Sequence, residues 1–141
     1  MNRVFNITEA TSLALHAAIY LARRPDMVAS VHEIADCLRA SEATLSKVMQ
    51  NLARDGIVRS ARGPAGGFSL ARRATSVSLL EVYEATQGKL ERIECLFPSR
   101  VCGSAPCIFG DLLTETSEKH RARLAAPSLA AVSDIYEEVC A

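Results

Sequence analysis

The sequence has no apolar run long enough to cross a bilayer. The longest, Leu13 to Ala22, is interrupted by His16 and reaches only about half of the roughly 20 residues a spanning helix needs, so no membrane partner is expected. The first six residues lack the basic, apolar and small-residue succession of an export signal, which makes the cytoplasm the expected compartment. No internal repeat, low-complexity tract or Gly/Ser-rich stretch is present, excluding a solenoid or a disordered tail. Also missing are a Ser/His/Asp ordering, a paired-carboxylate motif and a phosphate-binding Gly-Lys loop, so an enzyme is not expected. His32 and His120 stand isolated on polar helix positions, where exposure is the default. What is there is ordinary globular usage over 141 residues, 49% hydrophobic and 23% charged, enough for one compact core.

Formal net charge is zero, but it is unevenly distributed. Residues 1–75 hold ten Lys/Arg against six Asp/Glu, and residues 76–141 hold six against ten. From Gly56 to Leu80 there is no acid at all, while Arg59, Arg62, Arg72 and Arg73 surround a Gly-rich turn. Such a segment suits a polyanion, although a solvated basic surface has the same composition.

Periodicity and capping signals divide the chain. A first helix is predicted over residues 9–24 after Thr8, ended by Pro25. Ser30 and Glu33 form a capping-box signature for a second helix, Val31 to about Leu38. Ser41 caps a third, in which Leu45, Val48, Met49 and Leu52 make a buried stripe that Gly56 closes. Two short strands, 57–61 and 67–71, flank Gly63-Pro64-Ala65-Gly66 and read as a β-hairpin. Ser78 and Glu81 open a helix over residues 79–87, which Gly88 ends. Residues 89–110, with Pro98, Gly103, Pro106 and Gly110, read as a loop, and helices follow from Asp111 to about Ala126 and from Ser128 to about Val139.

Two short helices joined by a tight turn and followed by a hairpin is the order of a winged helix-turn-helix. The third helix, with its apolar stripe turned inward, presents Ala43, Ser46, Lys47, Gln50 and Arg54 outward, flanked by Thr44 and Asn51. Ser, Gln and Asn can hydrogen-bond base edges, and Lys47 or Arg54 can reach guanine or a phosphate. A polar helix face alone is an ordinary solvent face, but a basic hairpin directly after it calls for one explanation of both features.

Five cysteines in a leaderless chain are not expected to form structural disulfides. Cys95, Cys102 and Cys107, spaced Cys-x6-Cys-x4-Cys in a flexible loop, can converge on Zn²⁺ or an iron–sulfur cluster, or remain three reduced thiols. There is no Cys-x2-Cys pair of the kind common in structural zinc sites.

Helix-turn-helix, the wing segment Arg62-Gly63-Pro64-Ala65-Gly66-Gly67-Phe68 preceded by Leu52-x3-Gly56-Ile57-Val58, a capped helix, a three-cysteine loop and a C-terminal helix resemble the winged-helix iron–sulfur transcription regulator family of IscR, NsrR and RirA. The likeness runs over essentially the whole chain. It implies a homodimer on a roughly palindromic double-stranded DNA operator, joined through the helix beginning near Asp111, with an iron–sulfur cluster (2Fe-2S or 4Fe-4S) in each loop. Cys95, Cys102 and Cys107 match the family's cluster-binding cysteines, although members more often space them five and five. Ala43, Thr44, Ser46 and Lys47 match recognition-helix positions, and Arg62 the wing arginine that enters the minor groove. Ser46 and Lys47 replace the acid and amide of the best-known member, so operator sequence does not transfer. The fourth ligand is left to Glu9, Ser12 or His16 on one face of the first helix, or to a non-protein group. His16 coincides with a histidine that ligates in one member, and Gly110 stands where another has a histidine after the third cysteine.

The expected fold is therefore mainly α with a small β-hairpin. It comprises a winged helix-turn-helix over residues 1–88, a cysteine loop over 89–110 and dimerisation helices over 111–141. The expected DNA-contacting set is Ala43, Thr44, Ser46, Lys47, Gln50, Arg59, Arg62 and Gly63, and the expected metal ligands are Cys95, Cys102, Cys107 and His16. The function implied is a transcription regulator, a repressor, whose operator affinity follows the cluster. The alternatives are a thiol- or zinc-dependent DNA-binding regulator and a small iron–sulfur electron carrier.

Overall fold

The computed structural model describes residues 4–134. Its elements are α1 (Glu9–Ala22), α2 (Val31–Leu38), α3 (Glu42–Arg54), β1 (Val58–Ala61), β2 (Gly67–Leu70), a 3-10 turn (Ala74–Ser76), α4 (Leu79–Gln87), α5 (Leu112–Ala125) and α6 (Leu129–Ser133). The remainder of the last expected helix, and Cys140, lie outside the described residues. Among those residues no helix is long and apolar enough to cross a membrane.

The first helix is the central one. Ala14, Ala17 and Ala18 are fully buried beside Leu13, Ile19 and Leu21, and small side chains let α3, α4 and α6 all pack against α1. In α2 the Ser30 hydroxyl accepts from the Glu33 amide and the Glu33 carboxylate accepts from the Ser30 amide, satisfying two orphan donors. The tight turn to α3 is made by Arg39, which takes the left-handed conformation at φ 53° while Ala40 N–H donates to Ala35 O. In α3 the stripe Leu45, Val48, Met49 and Leu52 is buried, each side chain contributing about 1.5–3 kcal/mol.

β1 and β2 pair antiparallel from Val58↔Leu70 to Ala61↔Gly67. A third segment, which periodicity does not reveal, joins them: Ala29 and Phe68 exchange both backbone hydrogen bonds, at 2.9 and 2.7 Å. The glycines of the wing permit this. A Cβ on Gly67 would overlap the Ala29 carbonyl and one on Gly66 the Ala61 carbonyl.

Residues 89–110 contain no helix or strand, as their Gly/Pro content requires. Their start is stitched to α5, because Arg121 donates to Leu90 O at 2.8 Å and Ile93 N–H donates to Ser117 Oγ at 2.9 Å. The chain then differs from the three-part division by sequence. Leu129 of α6 is fully buried in the same core as α1 and α3, and its amide donates to Val77 O at 2.8 Å. The segment after Pro127 thus completes the helix-turn-helix core.

Candidate nucleic-acid interface and cysteine loop

With its stripe turned inward, α3 leaves Ala43, Lys47, Gln50 and Arg54 exposed and Thr44, Ser46 and Asn51 half-buried. The third helix thus has the inner and outer faces its spacing predicts. Ser41 caps it, its hydroxyl accepting from Thr44 N–H at 3.1 Å and donating to Thr44 Oγ1 at 2.8 Å, so Thr44 is held at the cap rather than left free. The helix also carries an acid that the sequence reading did not use. Glu42 Oε1 lies 2.6 Å from His32 Nδ1 of α2. That hydrogen bond, with the charge of Glu42 itself, holds the exposed His32 imidazole above its ordinary pKa. His32 is therefore exposed as expected but partnered.

The wing arginines divide into two groups. Arg72 donates to Glu81 Oε1 at 2.6 Å and is tied back onto α4. Burial raises the Glu81 pKa, but hydrogen bonds from Arg72 and from the Ser78 amide outweigh it and leave the carboxyl below its usual range. Arg59 donates to Ser69 Oγ across the hairpin at 3.4 Å. Arg62, beside Gly63 at the exposed tip, has no hydrogen bond or ion pair among the described residues. One of the four cations that composition assigns to the wing is thus neutralised by a partner nine residues on, outside the acid-free segment.

The sulfurs of Cys95, Cys102 and Cys107 are not disulfide-bonded. The three residues line one cavity of about 360 Å³, whose other walls are apolar and include Leu96, Phe97, Val101 and Leu113. They also line a second, more polar cavity of about 540 Å³. Cys102 is exposed and the other two half-buried. Among the described residues no three Cys, His, Asp or Glu side chains stand close enough together to grip a metal ion. Sharing a cavity is therefore not yet convergence. Gly103 and Gly110, at φ 58° and 57°, take left-handed turn conformations that glycine adopts without strain. Cys37 departs from the expectation of reduced thiols, being disulfide-bonded.

His16 is exposed on α1 and lines neither cysteine cavity. Its Nδ1 lies 2.7 Å from the Ser12 carbonyl, which can only accept, so Nδ1 carries the proton and Nε2 presents a lone pair. His120 departs from its expected exposure. It is half-buried, stacked on Phe5 with ring centroids 3.8 Å apart.

Sequence reasoning missed the polar junction between α1 and α4. Gln87, the last residue of α4, donates from Nε2 to Thr11 Oγ1 at 2.7 Å and to Thr8 Oγ1 at 3.0 Å, and accepts from Asn6. Tyr83 Oη donates to Asn6 O at 3.0 Å and Thr86 Oγ1 to Thr11 Oγ1 at 3.1 Å. Thr11 is fully buried, so these bonds satisfy a hydroxyl inside the core. Two residues after Gln87 the cysteine loop begins.

Residues 7–135 match a family model described as Rrf2, iron-dependent transcriptional regulator. A regulator named HTH-type transcriptional regulator NsrR in Shouchella clausii is 33% identical over 90 residues, 63% of this chain and 60% of that relative's length. Among solved structures, CymR, the global cysteine regulator of B. subtilis, superimposes with a TM-score of 0.79 at 20% identity, covering 93% of this chain and 98% of that one. T. potens IscR superimposes at 0.72, also at 20% identity, over 97% and 92% of the two chains. At such identity the structures share the winged-helix fold.

Proposed function

The chain belongs to the Rrf2 family of transcriptional regulators, and on that premise we propose that it is a homodimeric repressor whose operator affinity is set by an iron–sulfur cluster in the 89–110 loop. The observation that carries the DNA half is the outward face of α3 followed at once by an acid-free wing with Arg62 exposed at its tip. Ser46, Lys47 and Gln50 read or approach base edges in the major groove, with Ala43 and Thr44 at the helix start. Arg59, Arg62 and Gly63 sit on the neighbouring backbone and minor groove.

The cluster half is carried by three thiols around one apolar-walled cavity. The chemistry of that donor set suits an iron–sulfur cluster, since thiolates are its usual ligands. A cluster held there would supply a centre that responds to iron supply, oxidation or nitric oxide. The rest is done by the chain. Any closure of residues 95–107 pulls on Leu90 and Ile93, which are bonded to α5, and on α4, whose terminal Gln87 is bonded to α1. Movement of α1 and α5 changes the spacing of the two recognition helices in the dimer. A coupling of about 1–3 kcal/mol alters operator affinity roughly 5- to 150-fold.

The exposure of Cys102 favours one alternative, a thiol-dependent regulator of the same DNA-binding design. Protein purified without oxygen separates the two readings. Visible absorption with iron and sulfide in stoichiometric amounts, lost in Cys102→Ala, supports the cluster. Colourless protein after reconstitution, with DNA binding that still responds to oxidant, supports the thiol reading. Selection of an operator from random duplexes tests the DNA half, and its salt slope of about −0.9 per phosphate neutralised counts the contacts.

A further inference from the structure

The start of α3 presents the polar side chains of Ser41, Glu42 and Thr44. Ser41 Oγ accepts from Thr44 N–H and donates to Thr44 Oγ1, so both hydroxyls are engaged in the cap. Glu42, the first residue of the helix, takes no part in it. Its Oε1 accepts instead from His32 Nδ1 at 2.6 Å, a bond that reaches across from the first turn of α2. An ionised carboxylate only accepts, so Nδ1 carries the proton whatever the charge on the ring. Glu42 Oε2 has no hydrogen bond among the described residues, and the side chain, 58% exposed, is open to a further donor.

In a helix-turn-helix the N-terminal residues of the second helix meet the base edges. Glu42 stands at that end of α3, next to the exposed Ala43, whose small side chain lets a duplex come close. An acid among phosphates is unfavourable unless it finds a donor. In the major groove only adenine and cytosine offer an amino group. Adenine sets N6 beside N7, an acceptor that repels a carboxylate, whereas cytosine offers N4 with no acceptor on its own groove edge. A glutamate side chain left free would blur that choice. The bond from His32 holds the carboxylate from the neighbouring helix and leaves Oε2 for the base. Neither residue is among the positions to which the family resemblance gives a role.

We propose that Glu42 reads a cytosine in each operator half-site through Oε2, and that His32 is the positioning residue that fixes its carboxylate. The proposal rests on the DNA-binding reading above. A first-turn acid also complements the helix dipole, but that role is indifferent to the sequence of the duplex.

The test is selection of an operator from random duplexes by the full chain, followed by affinities for that operator and for copies with single base pairs changed. Wild type is compared with Glu42→Ala, Glu42→Gln, His32→Ala and His32→Asn, and far-ultraviolet circular dichroism confirms that each variant folds. In wild type, replacing one particular C·G pair of the half-site is expected to weaken binding about tenfold. Glu42→Ala should bind every base pair at that position alike, and Glu42→Gln should move the preference to adenine, whose N6 and N7 pair with a carboxamide. His32→Ala should lose most of the discrimination, and His32→Asn, whose amide N–H can replace Nδ1–H, should restore it. Glu42 variants with wild-type discrimination at every position overturn the proposal. A uniform gain in affinity does the same, since it leaves Glu42 only an acid that repels phosphate. His32→Ala with wild-type discrimination, or His32→Asn no better than His32→Ala, overturns the positioning role. If wild type selects no sequence, the DNA-binding reading itself falls, and the proposal with it.

Discussion

Gly67 lies so close to Ala29 that one added methyl would overlap the Ala29 carbonyl, while the adjacent Phe68 exchanges both backbone hydrogen bonds with Ala29. The wing is thereby anchored to the segment between α1 and α2 as well as to the end of α3. Gly67→Ala is expected to lower stability by about 1–3 kcal/mol, because the obstacle is backbone and cannot rotate aside. A thermal or denaturant midpoint measures it, and an unchanged midpoint would show that the two segments can separate without loss.

The wing arginines should not be equivalent on DNA. Arg62→Ala is expected to weaken operator binding and reduce the salt slope by about one unit, as a lost phosphate or minor-groove contact does. Arg72→Ala should leave that slope nearly unchanged, because its guanidinium is engaged by Glu81. Affinities measured across a salt series distinguish them, and equal effects would mean that Arg72 leaves Glu81 on binding.

His32 and Glu42 supply a pH dependence with a definite sign. The pKa of His32 is raised in the folded state, chiefly by Glu42 with Asp36 and Glu33 adding to it. Its contribution to stability is thus complete below the ordinary imidazole pKa and lost as pH rises through the folded value. The pair is exposed, so the effect is small. Thermal midpoints from about pH 5.5 to about pH 8.5 should fall more in wild type than in His32→Gln. Parallel curves would show that the pair contributes nothing.

Gln87 is expected to matter for coupling more than for affinity. Removing its amide in Gln87→Leu deprives Thr11 of one hydrogen-bond donor, costing about 1–2 kcal/mol, and cuts the polar junction between α4 and α1. On the iron–sulfur reading, the ratio of operator affinities with and without cluster should shrink, while the better-binding form loses little. A preserved ratio would move the route of communication to α5, through Arg121 and Ser117.

Much of the fold is legible in the sequence because its signals are local. The boundaries of α2 and α4 follow from Ser30/Glu33 and Ser78/Glu81, where two side chains satisfy two amides within four residues. The inward stripe of α3, and with it the identity of its outward face, follows from 3.6-residue periodicity. The first helix ends one turn-fraction early, at Ala22, since Pro25 biases the residues before it away from helix. Proximity across distance left no such mark. Nothing near Ala29 announces a strand, because one bridging residue has no period. Nothing near Arg72 announces that Glu81 will neutralise it.

By itself, then, the sequence determined the helix-turn-helix, the hairpin, the charge division and the presence of three thiols in a Gly/Pro loop, since capping, periodicity and turn chemistry act over a few residues. Only the tertiary structure decided which cations stay available, that Leu129 returns to the core, that Gln87 bonds the start of α1, and that His16 lines neither cysteine cavity. Those are matters of which surfaces meet. Packing of the central helix against elements from both ends of the chain settles them, and that packing depends on the whole core at once.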